Sequence, residues 1–311
     1  MRNGAEDPRP HGSNTERLFI KRFLAPLKVT RDKGDNIWCR IGESPILWSC
    51  HTDTVHKKEG FQNIAYGDGI VTPQHNTGEC LGADCTTGVW LMRQMILAGV
   101  PGNYVFHSGE EVGGLGAKHI AKNAPYKLAN IKFAIAFDRK GTSEIITHQM
   151  MERCASDAFA RSLAAALNMD LKPSNGGTFT DTACYTHLIP ECTNIAVGYL
   201  NQHSPREQQN VPFAEELLAN ILKADFSTLV CERDPHAPPE YDDDVWGSYY
   251  PANNAPKKSR ITDSPLLAYV KDYPQDVADF LEANGFDVED IEDYVFGDHR
   301  YSGQLAESSS H

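Results

Sequence analysis

The stretch Tyr104-Val-Phe-His-Ser-Gly-Glu110-Glu111-Val-Gly-Gly114-Leu-Gly-Ala117 decides how this chain folds. A short apolar run of β-formers stops at Ser-Gly, delivers two adjacent carboxylates, and passes through glycines into an amphipathic segment. That is a strand, a turn and a helix, with charge at the strand's carboxyl end. The pattern recurs along the chain. Ile46-Leu-Trp-Ser-Cys50 runs into His51-Thr-Asp53, Phe133-Ala-Ile-Ala-Phe137 into Asp138, and Ile195-Ala-Val-Gly-Tyr-Leu200 into Asn-Gln-His203-Ser-Pro. Asp84 stands just ahead of a helix in Leu81-Gly-Ala-Asp84-Cys-Thr-Thr-Gly88. Ligands of open α/β sheets bind outside the carboxyl ends of the strands, so two imidazoles and several carboxylates converge where a site belongs.

Working outward, Asn36–Ile41 and Ile46–Cys50 read as neighbouring strands joined by Gly42-Glu-Ser-Pro. Further strands are expected at Tyr104–His107, Phe133–Phe137 and Asn194–Leu200. Helices are expected over Thr15–Leu27, Thr86–Ala98, Gly114–Lys122, Ser156–Leu167 and Phe213–Leu229. The alternation predicts an α/β fold, a single catalytic domain with a central mixed, mostly parallel sheet flanked by helices. The expected organisation is a flexible N-terminus over 1–14, the catalytic domain over 15–232, and a Pro-rich acidic linker or strap over 233–264. A small acidic helical appendage follows over 265–299, then a flexible tail over 300–311.

Composition narrows the function. The chain has 311 residues and a net charge of -13. Residues 240–311 alone hold 16 Asp/Glu against 5 Lys/Arg, so the body is nearly neutral. Such a surface argues against nucleic-acid binding, which needs a cationic face. The sequence has no apolar run long enough for a membrane helix and no signal-peptide pattern at its start, so a cytoplasmic protein is expected. Eight cysteines without CxxC pairs read as reduced thiols, not a disulfide framework. The acidic segment, with its scattered apolar residues, is expected to dock on the catalytic domain or to bind a protein partner, which includes a second copy of the chain.

Two imidazoles with carboxylates form an N/O donor set suited to Zn²⁺, with Co²⁺ or Mn²⁺ as alternatives. No cysteine occupies a strand end, which disfavours a structural thiolate zinc site. Of the adjacent Glu110 and Glu111, one can bind metal while the other stays free as a general base. Asp53, two residues after His51, can accept the imidazole N–H and fix its tautomer.

The order His51-x-Asp53, Gly82-Ala-Asp84, Glu110-Glu111-x-Gly-x-Leu-Gly-Ala117, Asp138, His203-Ser-Pro205 resembles the co-catalytic dizinc exopeptidase superfamily, which holds zinc aminopeptidases and carboxypeptidase/deacylase enzymes. The resemblance spans roughly residues 15–230. It implies that Asp84 bridges two zinc ions, that His51 and Asp138 complete one ligand set, and that Glu111 and His203 complete the other. It makes Glu110 the base, and it implies a cis Asp84–Cys85 peptide. Cys85 departs from the Asp or Asn that several relatives carry there.

Only residues 139–202 separate Asp138 from His203, which leaves no room for the inserted domain of the deacylase branch, so the single-domain aminopeptidase form is expected. Phe137-Asp-Arg-Lys-Gly141 and Thr180-Asp181-Thr-Ala are similar to the multi-subunit aminopeptidases. Asp181 then has two readings, an N-cap of a short helix through Tyr185 or a pocket carboxylate for a substrate ammonium. The expected activity is peptide hydrolysis by an aminopeptidase. The alternatives are deacylation of an N-acyl amino acid at the same site, or a catalytically silent binding protein. Glycines 113, 114 and 116 lack the GxGxxG spacing, so nucleotide binding is discounted.

Overall fold

The computed structural model describes residues 7–74, 79–150 and 152–237, and helical positions at 270–271, 274–275 and 277–278. Two compact units divide the chain, Met1–Tyr241 and Asp242–His311. The expected linker beyond residue 237, most of the expected appendage and the expected tail lie outside the described residues.

In chain order the strands of the first unit are β1 (Thr30–Arg31), β2 (Ile37–Ile41), β3 (Ile46–His51), β4 (Ile64–Gly67), β5 (Ile70–Pro73), β6 (Gly102–His107), β7 (Phe133–Arg139), β8 (Glu144–Ile146), β9 (His148–Gln149), β10 (Glu152–Arg153), β11 (Lys172–Ser174), β12 (Glu191–Ala196), β13 (Tyr199–Leu200) and β14 (Gln208–Asn210). The α-helices are α1 (Asn14–Phe23), α2 (Ala83–Ala98), α3 (Leu115–Asn123), α4 (Asp157–Leu167) and α5 (Val211–Ile221). Eight strands form one sheet in the order β1-β2-β6-β3-β7-β12-β8-β11. Its centre, β6-β3-β7-β12, is parallel, and antiparallel pairings appear towards its edges. The architecture is the mixed, mostly parallel α/β sheet that the sequence predicts.

All six positions of β3 are buried, as a central parallel strand requires. Trp48 on β3 stacks on Phe137 of β7, ring centroids 5.6 Å apart. Helix α2 packs on β3 and β7, and α4 on β8 and β11. A second, antiparallel sheet, β13-β14-β5-β4, carries the segment that leads to His203.

Three expectations change. The strands flanking Gly42-Glu-Ser-Pro are not neighbours: β6 lies between β2 and β3, antiparallel to the first and parallel to the second. Local sequence shows the turn but not the strand inserted from fifty residues on. The Asp84–Cys85 peptide is trans, because both residues already lie in the first turn of α2. The stretch expected to be a free N-terminus is anchored where it is described: the Arg9 side chain is wholly buried. The eight cysteines are free thiols. Among the described residues no helix is long and apolar enough to cross a membrane.

Candidate metal centre

Strand register brings the first pair together. Ser49 of β3 lies opposite Ala136 of β7. Two residues further on, His51 Nε2 faces Asp138 Oδ1 at 3.7 Å. Thr180 Oγ1 donates to Asp138 Oδ2 at 2.7 Å, which leaves Oδ1 turned towards the imidazole. On the other flank of β3, His51 lies opposite His107 of β6, after which the chain turns through Ser108-Gly109 into Glu110 and Glu111. The second cluster comes from three segments. His203 Nε2, in the loop between β13 and β14, stands 2.9 Å from Asp84 Oδ2 and 3.4 Å from Glu111 Oε1. Ligand atoms of His51, Glu110 and Glu111 lie within 4.8 Å of one another, as do those of Asp84, Glu111 and His203. Glu111 belongs to both groups. The structure thus assembles His51, Asp84, Glu110, Glu111, Asp138 and His203 at one place.

Asp53 holds the turn that presents the two glutamates. Its carboxylate accepts from the backbone N–H groups of Gly109, Glu110 and Glu111, each at 3.1 Å. His51 Nδ1 meets the Asp53 main-chain carbonyl at 3.1 Å and the Asp53 carboxylate at 3.6 Å. The carbonyl, an acceptor only, orients the ring by taking its Nδ1–H, which leaves Nε2 as the atom that faces Asp138. Burial lowers the His51 pKa, but Asp138 and Asp53 outweigh it and raise it well above the usual imidazole value.

The donors fit a divalent cation of borderline softness. A tetrahedral Zn²⁺ with bonds near 2.0–2.1 Å spaces its ligand atoms by about 3.4 Å. The 3.7 Å and 3.4 Å separations match that, while the 2.9 Å approach of His203 to Asp84 is a direct hydrogen bond. Charge makes the same point. Burial, together with Asp138, Asp181 and Glu111, holds the Glu110 pKa well above the carboxylate range despite His51. Burial and Asp84 raise that of Glu111. Burial lowers the His203 value, but Asp84 and Glu111 outweigh it and push it up to about 11. Glu111 Oε1 is buried with no hydrogen-bond partner among the described residues. A surplus of buried carboxylate, one oxygen of it unsatisfied, is what a divalent cation relieves.

Asp181 does not cap its helix. Thr180 occupies the cap position of the 3-10 turn Asp181–Tyr185, without a side-chain cap bond. Both Asp181 carboxylate oxygens are buried and unpartnered among the described residues. Burial and the charges of Asp53, Asp138 and Glu111 raise its pKa well above the usual range despite His51. Sequence reading missed three residues that position this site. Thr180 adjoins Asp181, and its role shows only once Asp138 is beside it. Glu207 follows His203-Ser-Pro-Arg and reaches the amides ahead of Asp84. Arg9 falls in the stretch expected to be a flexible N-terminus. His187 is exposed, and His107 is a buried strand residue bonded to Asn36 Oδ1.

Against solved structures the chain is similar to a Staphylococcus aureus tripeptidase, at 14% identity and a TM-score of 0.59, over 71% of this chain and 94% of that one. It is similar to aminopeptidase PepT from Bacillus cereus at 14% identity and a TM-score of 0.56, over 71% and 95% of the two chains. The Pyrococcus horikoshii TET1 peptidase, which can assemble into a tetrahedron or a large octahedral shell, matches at 15% identity and a TM-score of 0.51, over 70% and 96%. The fold is that of these solved peptidases. No protein-family model and no curated protein matches the chain. The shared fold is what these comparisons show.

Proposed function

We propose that the chain is a zinc-dependent aminopeptidase that hydrolyses the first peptide bond of substrates with a free α-amine. The observation that carries this is the pairing of His51 with Asp138 and of His203 with Asp84 and Glu111, around a turn that also presents Glu110. In this reading His51 and Asp138 would hold one ion, Glu111 and His203 would hold the other, and Asp84 would serve both. Bound zinc would supply Lewis acidity, polarising a scissile carbonyl and making water acidic enough to attack near neutral pH.

The chain's own residues do the rest. Glu110, with its raised pKa, takes a proton from the attacking water and delivers it to the leaving amine. Asp53 keeps Glu110 and Glu111 in register by gripping three consecutive amides. Thr180 occupies one oxygen of Asp138 so that the other stays available. Asp181 offers a buried, unpartnered carboxylate that a substrate ammonium satisfies, and such an ion pair selects peptides with a free amino terminus. The test is bound metal per chain by mass spectrometry alongside hydrolysis of aminoacyl-amides with and without chelator. Two zinc ions with chelator-sensitive cleavage are expected. Two ions with cleavage of N-acyl amino acids alone would turn the reading to a deacylase, and no bound metal would end it.

A further inference from the structure

We propose that Arg9 and Glu207, two buried charges outside the ligand set, clamp the first turn of α2 between the His51 loop and the His203 loop, and so set the spacing of Asp84 from both histidines. The proposal rests on the metal-centre reading above.

Glu207 is fully buried and lies four residues after His203. Its Oε2 accepts from Leu81 N at 2.7 Å and Gly82 N at 3.0 Å, and its Oε1 accepts from Ala83 N at 2.8 Å. Three amides ahead of Asp84 are thereby satisfied by one carboxylate from the loop that supplies His203. No serine, threonine or aspartate caps α2: its N-cap is Gly82, in the left-handed region at φ 72. A carboxylate at a helix N-terminus is also favoured by the dipole. Glu207 is therefore accounted for by helix physics, and it couples α2 to the His203 loop.

Arg9 is not accounted for in that way. A cation beside a helix N-terminus is opposed by the dipole. The guanidinium is fully buried, 4.0 Å above the Phe19 ring, and its bonds among the described residues go to neutral acceptors. Nη2 donates to Thr86 Oγ1 at 2.7 Å and to Cys85 Sγ at 3.1 Å, Nε to the Thr52 carbonyl at 3.3 Å, and Nη1 to the Asp7 carbonyl at 3.1 Å. Burial outweighs the pull of Arg9 and keeps the Cys85 thiol neutral, its pKa pushed up to about 12. A buried cation without a direct counter-ion is costly unless charge nearby compensates it. Carboxylates stand close by on two sides: Asp84 immediately precedes Cys85, and the buried Glu16 accepts at 2.6 Å from the hydroxyl of Thr52, whose carbonyl Arg9 holds. The same arginine is tied to the His51 loop by its backbone as well: Arg9 N donates to Thr54 Oγ1 at 2.8 Å, and Thr54 N donates to the Arg9 carbonyl at 2.9 Å. Thr52 and Thr54 flank Asp53 and follow His51. One fork-shaped side chain thus spans the His51 loop and the residues just after Asp84, while Glu207 spans the His203 loop and the residues just before it.

The experiment compares the full-length chain with Arg9→Met and Glu207→Gln. It measures zinc release to a competing chelator and the visible spectrum of the cobalt-loaded protein, both well below the melting temperature. Each variant is expected to release at least one zinc ~10–100-fold more readily, with altered cobalt bands. Removing both is expected to cost less than the product of the single effects, because both act on one turn. Should Arg9→Met unfold, Arg9→Lys keeps the charge but cannot reach Thr52 and Thr86 together, and it is expected to loosen zinc in the same direction. Anchors that only steady the fold would lower the thermal midpoint of the metal-free protein and leave zinc release and the cobalt spectrum unchanged. That result overturns the clamp while the metal centre stands. A wild-type chain that retains no zinc overturns the metal-centre reading itself, and the clamp with it.

Discussion

Thr180 and Asp138 form a single directed bond, the Thr180 hydroxyl donating to Asp138 Oδ2 at 2.7 Å, and that bond turns the other carboxylate oxygen towards His51. Thr180→Val removes the donor at nearly constant shape. Zinc binding is expected to weaken by about 10-fold with the fold intact. Chelator competition checks this, and unchanged release would show that Asp138 needs no such support.

Glu110→Gln keeps the size of the side chain and removes its ability to carry a proton. Turnover of an aminoacyl-amide is expected to fall by about 10²–10⁴ while metal content is retained. Normal turnover with full metal would falsify the assignment of Glu110 as the base.

Asp181→Asn leaves a buried side chain that cannot pair with an ammonium. The specificity constant for peptides with a free amino terminus is expected to fall ~10–100-fold, the worth of a hydrogen bond to a charged group. The measurement is kcat/KM alongside zinc content. An unchanged constant would show that the carboxylate does not meet the substrate.

His107, the strand neighbour of His51, gives a pH signature of its own. Burial, with the charge of His51, lowers its pKa from 6.5 to about 3. The unfolded chain therefore binds this proton first. The stability it contributes is full above pH 6.5 and is lost as pH falls towards about 3. Against His107→Gln, which stays neutral throughout, the wild type is expected to lose an extra ~1 kcal/mol per pH unit across that window. Denaturant unfolding at several pH values measures it, and parallel curves for the two proteins would refute it.

Gly116→Ala tests the packing behind the glutamate turn. A Cβ there would overlap Asn36 Oδ1 and stand 2.8 Å from Ser108 O and 2.9 Å from Ser108 N. Backbone cannot give way cheaply, so stability is expected to fall by about 3 kcal/mol, read as a lower denaturant midpoint. A midpoint within experimental error of wild type would mean that α3 shifts to accommodate the methyl.

What could be read in advance followed from local pattern. His51, Asp138 and the Glu110-Glu111 pair each stand at the end of an apolar run, and a parallel sheet exposes those ends on one side. What could not be read came from partners distant in sequence. The predicted start of the second helix, Thr86, is three residues late, because the amides that extend α2 to Ala83 are capped by Glu207 from more than a hundred residues away. β6 inserts between two strands that adjoin in sequence, since pairing is decided by the whole sheet. Arg9 reads as part of a polar N-terminus because nothing near it in sequence announces its partners at Thr52, Thr54, Cys85 and Thr86. Asp181 carried two local readings, and only the absence of any partner for its oxygens among the described residues separates them.

The two halves of the centre are built on unequal foundations. His51 and Asp138 stand on adjacent, buried strands at the middle of the large sheet. His203 stands at φ 57 on the loop between β13 and β14, at the edge of the smaller sheet, its side chain 45% exposed. Local opening draws first on such thinly buried segments. Amide hydrogen exchange would register the loop around His203 long before the strand of His51, and an invading chelator would find its first handhold there.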